Sequence, residues 1–229
     1  MERRIVLFAA VALALLPGRA VSAADNLEQV LRELDAAAAK FHTTSADFEF
    51  DSVQTDPIPD TDVQKGVVYY ERKGNGFEVG IHIREVNGKV VPKVVTVSHG
   101  VTRLYEKMVD QVTTFAKAGR YEGYMALGFG ASGKELAEKW TIKDMGPEML
   151  DGIKTEKMEL VPKDPAVKKN IPKVTVWMDT ARAVSVKQTF DEGPGQYRVC
   201  HYTNIKVNQP LPGDAFSFKT DSRTQYINR

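Results

Sequence analysis

The sequence predicts an α+β fold: a strongly curved antiparallel sheet of about ten or eleven strands, a long N-terminal helix and a short helical insertion. Three observations lead there. Apolar residues near the start recur at helical spacing, those of the rest alternate at spacing two, and glycine-bearing turns punctuate the alternation.

The chain has 229 residues. Arg3 and Arg4 precede the uncharged apolar run Ile5 to Leu16; Pro17 and Gly18 follow, then small Val21 and Ala23 where a signal peptidase reads its site. This is the grammar of a secretory signal. The apolar run is shorter than the ~20 residues that span a bilayer. Residues 1–23 are therefore expected to be a signal peptide, cleaved after Ala23, and residues 24–229 a single exported domain. Cleavage removes Glu2, Arg3, Arg4 and Arg19 and leaves 28 basic against 29 acidic residues. So neutral a chain has no electrostatic footprint for nucleic acid. Cys200 is the one cysteine, which rules out an intramolecular disulfide and a cysteine metal cluster.

The helix comes first. In "NLEQVLRELDAAAAKF", Leu27, Val30, Leu31, Leu34, Ala38 and Phe41 form one apolar stripe, and Asn26 with Gln29 has the spacing of a capping box. The period then falls to two. In "FEVGIHIREV", Phe77, Val79, Ile81 and Ile83 alternate with Glu78, Gly80, His82 and Arg84. Similar alternation runs through "KVTVWMD", "AVSVKQTF" and "IKVN", with turns at Asn87-Gly88, His99-Gly100 and Asp151-Gly152. Tyr121 to Glu138 is the other helical material and reads as a mobile insertion between strands. A half-polar sheet of this size has an apolar concave face, and only the helices can cover it.

Within that insertion, "GFGASGKE" matches two phosphate-cradle patterns, G-x-G-x-x-G and G-x-x-x-x-G-K. Neither context fits. A dinucleotide loop needs a buried parallel strand before it, and a P-loop needs Ser or Thr after its lysine, where this chain has Glu135. Gly128, Gly130 and Gly133 are instead expected to be a hinge. The four histidines are scattered, there is no G-x-S-x-G elbow, and Asp179, at a strand end, and Asp191-Glu192, before a turn, read as solvated turn acids. No catalytic site, metal site or cofactor is expected. What remains is an apolar concavity with a movable cover, the anatomy of a carrier for a hydrophobic ligand.

Several stretches resemble one family in order along the chain. "FHTTSADFEF" resembles its first strand, and "GVVYYERKG" its G-x-L-x-x-x-R-P segment. "VTVSHGVTRLYEKMVDQVTTF" is similar to its V-S-D-G-x-x-L-W-x-Y stretch, and "YTNIKVNQPLPGDAFSFK" to its closing strand. The family is that of the periplasmic carriers of outer-membrane lipoproteins, the LolA-like proteins. The resemblance runs from about Asn26 to Lys219. It implies an incomplete antiparallel β-barrel lidded by short helices over an apolar cavity that takes lipoprotein acyl chains. Its partners would be an inner-membrane lipoprotein-releasing transporter and an outer-membrane receptor, with the carrier a monomer.

The family's arginine maps onto Arg72, implied to bond lid carbonyls and hold the closed state. On this basis Tyr124, Met125, Leu127 and Phe129 are expected in the lid, and Phe77, Val79, Ile81, Val95, Val97 and Met178 in the cavity wall. Lys73 replaces the family's proline, His99 replaces its turn aspartate, and two connections are longer. These departures leave room for another envelope lipid as cargo. Two further classes stand beside the carrier: a domain sensing lipoproteins or envelope stress on the same fold, and a hydrolase with a scattered site.

Overall fold

A computed structural model describes residues 23–74, 76–115 and 127–229. The signal-peptide expectation and two of the expected lid residues, Tyr124 and Met125, lie outside the described residues. Helix α1 (Ala23–Ala38) is followed by β1 (Thr43–Gln54), β2 (Asp60–Lys73), β3 (Gly76–Val86), β4 (Lys89–Ser98), β5 (Val101–Glu106) and β6 (Gln111–Phe115). Then come α2 (Gly133–Lys139), β7 (Trp140–Leu150), β8 (Ile153–Pro162), α3 (Pro165–Lys168), β9 (Lys173–Asp179), β10 (Val184–Gly193), β11 (Gln196–Val207) and β12 (Gln225–Asn228).

Among the described residues twelve strands form one sheet, in the order β12-β6-β5-β4-β3-β2-β1-β11-β10-β9-β8-β7. Every neighbouring pair is antiparallel except β12, which lies parallel to β6. The strand count exceeds the expected ten or eleven, and the sheet stays open between its edges β7 and β12 instead of approaching a closed barrel. The turns behave as their composition predicts. Asn87-Gly88, His99-Gly100 and Asp151-Gly152 all have positive φ at both positions, the requirement of the tight hairpin turn that matches strand twist. His99 accepts the left-handed backbone at φ 52°.

The route of the chain places the site. β6 lies near one edge and β7 forms the other, so the connection carrying "GFGASGKE" must pass from one side of the sheet to the other. α1 covers one region of the apolar face: Val30, Leu34 and Ala38 are buried with Met158, Leu160 and Val176. A second apolar cluster gathers Phe48, Val68, Tyr70, Val79, Val97 and Tyr202 around Phe129. Full burial of one such side chain contributes about 1.5–3 kcal/mol.

The start of α1 departs from expectation. Asn26 lies inside α1, three residues past Ala23, so it is helical and does not cap the helix. Its side chain reaches across to Asp144 on β7 and to Glu156 on β8, the latter at 3.4 Å. The closing segment departs as well. Phe216 and Phe218 lie in irregular backbone that straps the outer face of the sheet, not in a strand. The Ala215 carbonyl passes so close to Gly80 that a Cβ there would stand 1.8 Å from it. His82 Nε2 lies 3.2 Å from the same carbonyl, and Phe218 stacks on Tyr105 at 5.0 Å.

Candidate functional site

The glycine-rich segment is held by shape. Phe129 forms a bridge with Val184 at the start of β10; Ser185 N donates to Gly128 O at 2.7 Å, and Gly130 N donates to Ala183 O at 2.8 Å. Gly128 (φ 88°) and Gly130 (φ 68°) occupy the left-handed region, which glycine enters without steric cost. Neither has space for a methyl group. A Cβ at Gly128 would lie 2.3 Å from Gln188 Nε2, and one at Gly130 2.3 Å from the Phe41 ring. Gly133 lies inside α2, where a Cβ would stand 2.2 Å from the Leu31 carbonyl of α1. Close helix-to-helix approach requires glycine at that position.

The phosphate-cradle reading fails on the same geometry. Ser132 caps α2: its Oγ accepts from Glu135 N at 3.1 Å, and the Glu135 carboxylate accepts from Ser132 N at 2.9 Å. Lys134 N donates to Asp35 Oδ1 at 3.0 Å. Glu135, the residue that breaks the P-loop pattern, completes this capping box.

Arg72, near the end of β2, ties the segment to α1. Its Nη1 donates to Ala38 O at 3.0 Å and its Nη2 to Gly130 O at 2.6 Å. Ala38 is the last residue of α1, where carbonyls have no partner inside the helix. A planar guanidinium with several fixed donors can serve both carbonyls at once. The neighbouring Tyr70 is pushed up by burial, which outweighs the opposing effect of the Arg72 charge. Tyr70 is also an aromatic hub, with ring centres 5.6 Å from Phe41, 5.5 Å from Phe77 and 6.1 Å from Phe129. Phe129 meets Tyr202 edge-on at 5.1 Å. Such pairs add ~0.5–1.5 kcal/mol each beyond area burial.

Two cavities lie along this region. The smaller, about 360 Å³, lies under Arg72 and is lined by Tyr70, Phe77, Phe129, Leu136 and Trp140. The larger, about 410 Å³, has a mostly apolar wall drawn from six adjacent strands, β4 through β10 in sheet order, with Ile171 from the loop after α3. Both fall in the ~300–1,000 Å³ range of small-ligand pockets. Of the expected wall residues, Ile81 and Val95 line the larger cavity and Phe77 the smaller. Val79 and Val97 are cross-strand partners buried in the core beside it. Met178 belongs with the cluster beneath α1 and lines neither cavity. Leu127 and Phe129 are both buried and both line the smaller cavity, Leu127 packed with the cluster under α1 and Phe129 with the aromatic cluster.

Sequence reasoning passed over Phe48, Phe50, Tyr70, Ile83, Phe190 and Tyr202, which also line these spaces. Their signal was present in the alternation of "ADFEF" for Phe48 and Phe50, of "FEVGIHIREV" for Ile83 and of "AVSVKQTF" for Phe190. Polar groups in the wall are few: Gln188 donates to Leu127 O at 2.6 Å, and Arg198 pairs with Glu192 at 3.1 Å. Cys200 also lines the wall, its thiol pushed up to about 12 by burial, so it stays protonated and serves as packing. Among the described residues no group of three His, Cys, Asp or Glu side chains is placed to hold a metal ion.

No protein-family model matches the chain, and no curated protein matches it in sequence. Solved structures do match. An uncharacterized conserved protein from Thermus thermophilus superposes over 89% of this chain and 99% of its own, with TM-score 0.56 at 8% identity. MucB, solved alone, covers 88% of this chain with TM-score 0.51 at 11% identity; the match spans 65% of MucB. A LolA superfamily protein from Nitrosomonas europaea matches over 84% of this chain with TM-score 0.39 at 14% identity. The fold is LolA-like. The Thermus thermophilus protein and MucB share this fold, and at these identities the likeness concerns the fold alone.

Proposed function

We propose that the protein is a periplasmic carrier of lipid acyl chains, with residues 24–229 as one LolA-like carrier domain that moves lipoproteins from the inner to the outer membrane. The sheet acts as an incomplete, curved barrel and the "GFGASG" segment with α2 as its lid. The observation that carries this reading is Arg72 bridging Ala38 and Gly130 over the smaller cavity, with the mostly apolar larger cavity further along the same sheet. Each buried methylene contributes about 0.8 kcal/mol, so acyl chains suit such a wall. A shuttle must also let them go. Leu127 and Phe129 bury themselves when the lid is closed, so lid and cargo compete for the same apolar lining and net affinity falls. Opening requires Arg72 to release its two carbonyls. The partners follow from the carrier role: acylated lipoproteins, a releasing transporter and a receptor.

Native mass spectrometry of the mature protein, purified from periplasm without detergent, tests this. An adduct of triacylated-lipoprotein mass is the expected result. An adduct of free-lipid mass assigns another cargo to the same cavity. A bare protein that also refuses offered lipoprotein overturns the carrier reading. The second reading, a sensor of lipoproteins or envelope stress, is favoured by the likeness to MucB, a protein also solved in complex with MucA. That reading predicts capture of a regulatory protein instead of cargo transfer.

A further inference from the structure

Of the eight large apolar side chains exposed among the described residues, five stand at the tips of four neighbouring hairpins. Ile58 is on β1–β2, Val90 on β3–β4, Met108 and Val109 on β5–β6, and Tyr197 on β10–β11. These hairpins are consecutive in the sheet, and antiparallel pairing puts all four turns at one end. The tips are bonded to one another or to their neighbours' strands. Thr55 N donates to Gly195 O at 2.7 Å, Asn87 N to Val63 O at 2.8 Å, and Lys107 N to Pro92 O at 3.3 Å. They form one rim along eight strands, about 34 Å at ~4.8 Å per spacing.

The rim adjoins the larger cavity. Phe50, Gln64, Ile83, Phe190 and Arg198 line that cavity and lie in the tip-side halves of the same hairpins. Arg72 stands at the opposite end of β2. We infer that this rim docks on a lipid bilayer surface, its apolar tips entering the interface and its cavity end facing the lipid; this rests on the carrier reading for its purpose. The apolar groups are separate points on separate turns, a form that inserts between headgroups. A stable protein interface, including one with a second copy, needs upward of ~1,000 Å² of complementary surface, which five spaced side chains interleaved with acids do not offer. Across residues 54–63, 85–93, 106–111 and 191–198 eight acids stand against four bases, a net of −4. That charge directs the rim to zwitterionic lipid and away from anionic lipid.

Flotation of the mature protein with phosphatidylcholine vesicles tests the inference, beside uptake of a fluorescent fatty acid in vesicle-free buffer. The wild type floats at low and high salt, and less when phosphatidylglycerol is included. The variant I58S/V90S/M108S/V109S, with unchanged circular dichroism, loses about tenfold in vesicle partition but keeps probe uptake. Wild-type protein that takes up probe and does not float overturns the rim inference alone. Protein that floats without taking up probe retains the rim and loses the cavity. Flotation undiminished in the variant, or a rim-dependent dimer in sedimentation, also overturns it.

Discussion

The Nη2 of Arg72 lies 2.6 Å from the carbonyl oxygen of Gly130, joining the end of β2 to the segment that lines the smaller cavity. The same guanidinium holds the last carbonyl of α1. One side chain thus couples the helix, the sheet and the covering segment.

Replacing Arg72 with Leu removes two charge-assisted hydrogen bonds, each contributing ~1.5–3 kcal/mol. The closed arrangement of residues 127–132 weakens, while the sheet keeps its pairing. Hydrogen exchange at Gly130 and its neighbours should speed up by at least about tenfold with an unchanged far-ultraviolet spectrum. Cargo transfer should fall. A variant that transfers normally removes Arg72 from the mechanism.

Gly130→Ala forces a methyl group onto the Phe41 ring and a non-glycine residue into φ 68°. A stability loss of about 1–3 kcal/mol in urea denaturation is expected. Gly76→Ala is the control: its nearest neighbour is 3.8 Å away and its φ is ordinary, so the change should stay within ~0.5 kcal/mol.

Val95→Trp tests the cavity. Val95 is half-buried, lines the larger space and sits opposite Ile81 across β3 and β4. An indole there fills part of the 410 Å³ and should cut fatty-acid probe affinity by about tenfold or more. Retained affinity would place the ligand elsewhere.

Glu156 makes stability depend on pH. Its carboxyl is raised from 4.5 to about 7, first by burial and then by Asp144. Burial also pushes Asp144 up, but bonds from Gly146 N, Asn26 and Glu156 outweigh it and hold Asp144 below its ordinary value. The pair therefore keeps its proton on Glu156. Between pH 4.5 and about 7 the native state holds a proton that the unfolded chain has lost. Stability attributable to Glu156 thus declines as pH rises through that window and is level above it, a loss of about 1–3 kcal/mol. Denaturation at pH 5 and pH 8 should show the decline, and Glu156→Gln should abolish it. An identical slope in the variant would assign the effect to other groups.

Much of this architecture was legible because alternation is local. Phe77, Val79, Ile81 and Ile83 share one face as their spacing requires, and the glycine turns stand where their composition predicts. β12 was missed because "QYIN" has no apolar period of its own; it is a strand because the edge of β6 offers it hydrogen bonds. Asn26 has the local spacing of a cap, yet two acids from β7 and β8 claim its side chain. Met178 alternates onto the apolar face as predicted, but the end of the sheet it occupies lies beneath α1, away from the cavities.

By itself the sequence determined the alternation, the turns, the amphipathic helix and the Arg72 candidate, because each depends on neighbours a few residues away. Only the tertiary structure decided that Arg72 meets Ala38 and Gly130, 34 and 58 residues distant, and that four hairpin tips share one rim. It also decided that the glycines of "GFGASG" stand where Phe41, Gln188 and Leu31 leave no room for a side chain. Periodicity tells which face of a strand is apolar. What that face meets depends on where the chain crosses the sheet, and this is set by packing between elements far apart in sequence.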